Sequence, residues 1–329
     1  MTDNLAQQPT APAPVRGLVH LPLPLFAAPM GLGGLGLAWR EASHILGAPA
    51  VIGEALLLLT TALWLLIFGL HLTRAMRHPG ALVGDFKHPI RSAFAGAVSI
   101  GLMIIAAALF PYARDAAAIV WAVGVALHVG IAVWTVRGLL IAPREAASLA
   151  PPLLIPLVGN ILAPILGAKL GFLAVSWMMF GLGALLWAMI QPIILGRVVA
   201  GPPLPDKLKP TLGIFLAPPA VGTVALVSLT GGFGVAALTV FGLAVFVAAV
   251  LLSMIPLFAR IPFAMSWWGW TFPSAAFALA MILLAQVWPA DWAVALAWAL
   301  LFLASTIVAR VSLATLRAAL TGRLLLPEA

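Results

Sequence analysis

The stretch LPLPLFAAPMGLGGLGLAW, residues 21–39, has the length and apolar character of a bilayer-spanning segment, yet it contains three prolines and four glycines. Proline removes a backbone hydrogen bond, and both residues weaken a helix. Irregular backbone at membrane depth is tolerated only inside protein or beside a water-filled cavity. The stretch therefore predicts a membrane segment in the interior of a helical bundle.

The composition of the whole chain is that of an integral membrane protein. Its 329 residues are 64% hydrophobic and 8% charged, which lies outside the range of soluble domains. The absence of cysteine excludes disulfides, thiolate metal sites and cysteine nucleophiles. The net charge of +8 comes from basic residues scattered singly or in pairs, so we expect contact with the lipid bilayer and no nucleic-acid partner.

A membrane span needs about 20 apolar residues, and this length predicts ten transmembrane helices with short loops. Their expected ranges are 21–39, 50–73, 92–110, 116–137, 151–168, 171–196, 210–230, 234–258, 267–287 and 292–316. Short loops make neighbouring helices antiparallel. The chain is thus expected to be an all-α membrane domain over residues 20–320, with a disordered cytoplasmic tail at 1–19 and a short cytoplasmic tail at 321–329.

The basic residues predict the orientation. Fourteen of the seventeen fall on one side of this topology, and only Arg40, Arg114 and Lys169 fall on the other. The positive-inside rule then places the N- and C-termini in the cytoplasm. Residues 1–17 lack the charged and apolar regions of a cleaved signal. We therefore expect a multi-pass protein of the bacterial inner (plasma) membrane.

Prolines recur with the period of one helical hairpin. Pro156, Pro218 and Pro273 are spaced by about 60 residues, and Pro29 lies about two such units upstream. This pattern predicts five hairpins whose odd helices, kinked at these prolines, line a central pore, while the smoother even helices lie outside. The alternative is that proline and glycine are simply frequent in membrane helices.

The predicted pore is neutral, and its mouth is basic. Ser99, Asn160, Thr223 and Thr271 are the candidate polar side chains of its lining, and a neutral wall suits rapid passage rather than tight ion binding. Lys87 and Arg91, in the string FKHPIR (86–91), are candidates for attracting an anion to the cytoplasmic mouth. They are equally explained as topology anchors at the headgroups.

Glu54 and His128 are candidates for an intramembrane ion or proton site, because ionisable groups inside spans are often functional. Glu54 is alternatively a buried partner for a basic group, and His128 an interior hydrogen-bonding residue.

The six histidines show no metal-binding spacing, and no acid, base and nucleophile group suggests an enzyme. We expect no metal and no cofactor. GLGGLG (31–36) fits a dinucleotide motif, but no strand precedes it.

Five strings on odd spans resemble the family that includes the bacterial tellurite-resistance protein TehA, plant guard-cell slow anion channels and fungal dicarboxylate permeases. They are LPLPLFAAPMGLGGLGLAW (21–39), FKHPIR (86–91), PLVGNILAPILGAKLG (156–171), KPTLGIFLAPPAVG (209–222) and SWWGWTFP (266–273). The resemblance covers roughly residues 20–320. Trp270 stands where this family usually has tyrosine.

The resemblance implies a homotrimer in which each protomer has its own pore, formed by five hairpins in quasi-fivefold symmetry. It also implies that Phe272, on the ninth helix, plugs this pore as a gate. The expected function is passive anion transport: chloride and nitrate on physical grounds, or dicarboxylate, sulfite and tellurite-related anions by family. The alternative is a proton-coupled carrier of organic anions or metabolites that uses Glu54 or His128. Trp267 and Trp268 are interpreted as interfacial anchors.

Overall fold

The computed structural model describes residues 17–142 and 145–326. Most of the predicted N-terminal tail, the last residues of the C-terminal tail and the basic residues Arg16 and Arg144 lie outside the described residues. Helices and connecting turns make up the described chain. The α-helices are α1 (Ala27–Ile45), α2 (Ala50–Arg77), α3 (Pro79–Lys87), α4 (Ala95–Leu109), α5 (Arg114–Ile141), α6 (Leu154–Val158), α7 (Ala163–Leu170), α8 (Leu173–Ala200), α9 (Ala217–Thr230), α10 (Val235–Ser253), α11 (Ile255–Phe258), α12 (Thr271–Val287) and α13 (Asp291–Leu320).

Within the described residues, nine helical segments are long and apolar enough to cross a membrane. The predicted first span is outside this set; its helix, α1, contains four glycines and the charged residues Arg40 and Glu41. Helix α1 nevertheless packs in the middle of the bundle, against α2, α4 and α12. The fold is therefore that of an all-α membrane protein, and the count of ten spans stays a prediction.

The segments differ sharply in burial. Of the segments at the predicted odd positions, 91–109, 151–170, 206–230 and 265–287 are 72% to 83% buried over their most hydrophobic stretch. The long helices α2, α5, α8, α10 and α13 are only 11% to 33% buried. The first group, together with residues 23–45, is called here the inner segments, and the second the outer helices. The segments that contain Pro156, Pro218 and Pro273 are thus protein-facing, as the sequence predicts.

The inner segments form a closed ring of contacts. Each packs against the next along the chain, and α12 of the fifth packs against α1 of the first. Each also packs against the outer helix that follows it, as in the pairs α1 with α2 and α4 with α5. The chain is therefore built from five helical hairpins around a common axis. Small side chains let these helices approach closely, which is how helices associate without a hydrophobic driving force in lipid.

Every inner segment begins with a 3₁₀ turn and continues as an α-helix. The four prolines expected to kink these spans are the second or third residue of an α-helix: Pro29 in α1, Pro156 in α6, Pro218 in α9 and Pro273 in α12. The first N–H groups of an α-helix have no partner within it, so proline costs little there. Each of these prolines therefore lies in the first turn of an α-helix, directly after a 3₁₀ turn.

The five inner segments all run in the same direction. We call the side on which they begin the N side of the bundle and the side on which they end the C side. Both ends of the described chain lie together, because the Gly17 backbone N–H donates to the Leu325 carbonyl over 3.1 Å.

Candidate pore

A cavity of about 60 Å³ lies on the axis of the ring. All five inner segments contribute to its wall, through residues such as Met30, Phe94, Val158, Pro218 and Phe272. Every lining side chain is apolar, so this inner cavity offers no charge or hydroxyl to an ion. It has room for only a few water molecules.

A much wider space opens on the C side of the same axis. This C-side vestibule has a volume of about 770 Å³ and is again lined by all five inner segments. Its wall includes Arg40, Glu41, His44 and Lys169, so it is polar where the inner cavity is not. His44 Nδ1 lies 3.8 Å from a Glu41 carboxylate oxygen. Along each inner segment, the residues that line the inner cavity precede those that line the vestibule.

The Phe272 ring contacts both the inner cavity and helix α1. It lines the inner cavity and is only 8% exposed. A Cβ atom placed on Gly34 would meet Phe272 Cδ2 at 2.8 Å, so the ring packs against the backbone of α1 at this glycine. On α1, Gly34 falls between Met30 of the inner cavity and Leu37 of the vestibule. The ring thus lines the narrow inner cavity and packs on α1 between the residues that line the inner cavity and those that line the vestibule.

The predicted polar lining is located elsewhere. Ser99, Asn160, Thr223 and Thr271 are all buried, at 0% or 1% exposure, and none lines either cavity. The three hydroxyls bond carbonyls three or four residues earlier, as when Thr223 donates to Pro219 over 2.8 Å. The Asn160 side chain donates to the Leu157 carbonyl. The three hydroxyls are thus bonded within their own segments, whereas Asn160 Oδ1 is buried without a hydrogen-bond partner in the described structure.

Of the four prolines, Pro218 and Pro273 belong to the cavity wall, whereas Pro29 and Pro156 do not.

Glu54 forms an ion pair instead of facing the axis. Both its carboxylate oxygens accept hydrogen bonds from Arg40, each over 2.7 Å, and the Tyr112 hydroxyl donates to Oε2 over 2.8 Å. Arg40 also donates to the Ala107 and Ala108 carbonyls. This cluster ties the outer helix α2 to α1 and to the C-side end of α4. Glu54 is therefore a carboxylate paired with a basic group, which is the alternative interpretation of this residue given above.

His128 is fully enclosed between segments. Its Nδ1 lies 2.7 Å from Ser99 Oγ on α4, while its Nε2 has no hydrogen-bond partner in the described structure. A Cβ on Gly159 would meet the imidazole at 2.6 Å, so the ring fills the space that this glycine leaves. His128 lines neither cavity.

The two basic candidates at the mouth lie on the N side. Lys87 is exposed at the end of α3, and Arg91 begins the second inner segment with an ion pair to Asp85. Within the described residues, no cluster of three histidine, cysteine or acidic side chains could hold a metal.

Sequence reasoning missed three residues near the pore. Trp268, expected at the interface, is 1% exposed, donates its indole N–H to Thr315 and lines the inner cavity. Gly34 was noted only as a small residue, and Asp85 was not singled out. The string SWWGWTFP (266–273) contains two adjacent tryptophans, and nothing in it indicates which of the two rings lines the cavity.

The comparisons with known proteins agree with this architecture. The guard cell S-type anion channel SLAC1 of Arabidopsis thaliana is 23% identical over 329 residues, covering 94% of this chain and 58% of the plant protein. The S-type anion channel SLAH3 of the same plant is 26% identical over 282 residues, covering 82% of this chain and 44% of its own length. This chain thus spans about half the length of these plant relatives.

A bacterial relative is also similar. The tellurite resistance protein TehA homolog of Haemophilus influenzae is 24% identical over 214 residues, covering 64% of this chain and 65% of its own. Residues 20–316 match the sequence family described as voltage-dependent anion channel. Because that match includes all five inner segments and nearly the whole described chain, the protein belongs to the voltage-dependent anion channel family.

Proposed function

We propose that this protein is a passive channel for small anions and that Phe272 is its gate. The observation that supports the proposal is the pair of spaces lined by the same five inner segments, with Phe272 in the wall of the narrow one and packed on Gly34. Apolar constrictions close a pore by excluding water. The family membership supports an anion as the permeant species.

The side chains along the narrow part of the path favour a channel over a proton-coupled carrier. Coupled transport needs a titrating or ion-binding group on the pathway. Glu54 is held by Arg40 and Tyr112, and His128 is enclosed behind Gly159, so neither candidate reaches the axis. The titratable side chains that do line the path, Glu41, His44 and Lys169, belong to the wide vestibule, whereas the inner cavity contains only apolar side chains and does not retain an ion.

The decisive experiment compares two phenylalanines of α12 by single-channel recording in planar bilayers. Phe272→Ala removes the ring from the axis, whereas Phe277→Ala removes an equally buried ring that stacks on Phe241 and lines neither cavity. We expect chloride conductance to rise at least about tenfold in Phe272→Ala, which corresponds to a barrier lowered by about 1.4 kcal/mol. Phe277→Ala should keep the wild-type conductance.

Equal conductance in both variants, with both proteins eluting as wild type from a sizing column, contradicts the gate. Ion substitution in Phe272→Ala then ranks chloride and nitrate against dicarboxylate, sulfite and tellurite-related anions.

The family resemblance supports three further parts of the proposal. Residues 20–320 form one channel domain, three copies assemble into a homotrimer with one pore each, and the five hairpins are related by quasi-fivefold symmetry. The excess of basic residues on the N side supports a cytoplasmic location for that side and for both termini in a bacterial inner membrane. Light scattering of the purified protein measures the number of chains, and labelling of Lys169 from outside the cell tests the orientation.

A further inference from the structure

A buried carboxylate, Asp85, lies on the N side of the bundle. It is on the short helix α3 and is only 1% exposed. A charge this deeply buried needs compensating partners. Two guanidinium groups supply them: Arg74 Nη1 donates to Oδ2, and Arg91 Nη1 lies 3.2 Å from Oδ1. Asp85 therefore connects the outer helix α2 with the start of the second inner segment.

Arg91 lies on the N side of the inner cavity. It is the first residue of the 3₁₀ turn Arg91–Phe94. Side chains three residues apart lie on the same face of a 3₁₀ helix. Phe94 lines the inner cavity, so Arg91 lies on the same face, one turn nearer to the N side. Its side chain is 33% exposed, which leaves it accessible at the rim.

Arg74 and Arg91 contact the Asp85 carboxylate in different ways. Arg74 is 3% exposed, and its Nε donates to the Val19 carbonyl over 2.9 Å, so its guanidinium is fixed on two sides. Its contact with Asp85 is an aligned hydrogen bond. The contact between Arg91 and Oδ1 has an ion-pair distance without hydrogen-bond alignment. Arg74 thus anchors the carboxylate by a hydrogen bond, and Arg91 adds an ion pair to it.

We infer that Asp85 is a positioning residue that holds the Arg91 guanidinium at the N-side mouth and, by cancelling part of its charge, keeps anion capture there weak. The inference rests on the proposed function, in which anions pass Arg91. The three side chains together carry a net charge of +1 with Asp85 and +2 without it. A mouth that bound anions tightly would delay their release into the pore.

The test is a charge series measured by single-channel recording, with chloride varied in the chamber facing the N side, in both the wild-type and the Phe272→Ala background. Asp85→Asn keeps the size of the side chain and an acceptor oxygen but removes the charge. We expect its half-saturating chloride concentration to fall about threefold at low ionic strength, the effect of one unit charge at roughly 6 Å in water. The shift should shrink when sodium gluconate raises the ionic strength.

Two controls separate charge from structure. Asp85→Glu restores the carboxylate and should restore the wild-type half-saturation. Asp115→Asn removes an exposed carboxylate at the start of α5, on the C side, and should leave the N-side half-saturation unchanged. A merely structural Asp85 would alter the number of active channels without a salt-dependent change in half-saturation.

A second pair of variants covers the case in which Asp85→Asn alone fails to fold because Arg74 stays buried without a partner. Arg74→Gln brings the mouth to net zero and should raise the half-saturation about threefold, and Arg74→Gln/Asp85→Asn should return it to the wild-type value. Equal half-saturation in these two variants overturns the inference. If Arg91→Gln also leaves half-saturation unchanged, the proposed role of Arg91 at the mouth fails instead.

Discussion

The buried glycines of the inner segments and the lipid-facing glycines of the outer helices differ in the space around them. A Cβ on Gly96 of α4 would meet the Pro156 backbone at 2.9 Å, and one on Gly34 would meet the Phe272 ring. On the outer helices, a Cβ on Gly130 of α5 or Gly181 of α8 would meet nothing within 4 Å. Inner glycines set the distance between segments of the ring, whereas lipid-facing glycines leave packing unaffected.

The largest effect is expected where two inner segments touch through their backbones. Gly96→Ala must push the second inner segment away from Pro156, because a backbone cannot rotate aside as a side chain can. We expect a loss of about 3 kcal/mol, the upper part of the range for overpacked cores. The melting temperature of the detergent-solubilised protein measures it.

The matched control lies in the same hairpin. Gly130→Ala adds the same methyl group to α5 in open space and should change stability by less than about 1 kcal/mol. Comparable losses in both variants would break the distinction between inner and outer glycines.

A smaller effect should link Gly34 to Phe272. Gly34→Ala crowds the Phe272 ring in the wild type, but not in Phe272→Ala, where the ring is absent. A double-mutant cycle on thermal stability should therefore give a coupling of about 1–2 kcal/mol. Additive losses would mean that the ring does not rest on α1 at this position.

The smallest effect is expected at the contact between an outer helix and the ring. Glu54→Gln removes the ionic partner of Arg40 but keeps the two carbonyl acceptors of that guanidinium. Because the Glu54 side chain is 34% exposed, we expect a loss of about 1 kcal/mol, with conductance and its pH dependence unchanged. Altered pH dependence of the current would favour the proton-coupled alternative.

Tyr112 reports on the same cluster. It is the only tyrosine in the chain. The hydrogen bond to the Glu54 carboxylate raises the pKa of Tyr112 above its ordinary value. A raised pKa means that the contact stabilises the fold at neutral pH and is lost as the pH rises through the folded-state pKa. In Glu54→Gln, the phenolate absorbance should therefore appear at lower pH than in the wild type.

The fold was largely predictable from the sequence. The period of about 60 residues in Pro156, Pro218 and Pro273 follows the hairpin repeat, and burial divides the helices into the inner and outer sets that this period indicates. The kinks expected at the four prolines stay a prediction, and the structure adds that each proline lies near the start of an α-helix that follows a 3₁₀ turn. The length and hydropathy of a span cannot reveal where a 3₁₀ turn becomes an α-helix, because the same apolar residues can form both types of helix.

The candidate site was less predictable. Ser99, Thr223 and Thr271 belong to inner segments, but membership of a segment does not decide which face a side chain occupies. Their hydroxyls bond nearby carbonyls of their own segments, and the wall is left to apolar side chains. Asp85 was missed since its role depends on Arg74 and Arg91, which only the packing of α3 brings to one carboxylate.

The sequence by itself determined that this chain is a multi-pass helical membrane protein built from hairpins, because hydropathy and backbone hydrogen bonding in lipid leave few other solutions. Only the tertiary structure decided which side chains line the two cavities: the Phe272 ring packed on Gly34, the apolar wall, and the absence of Glu54 and His128 from both linings. These contacts join residues far apart in the chain. Their existence depends on the rotation of each helix about its own axis, which packing against neighbouring helices sets.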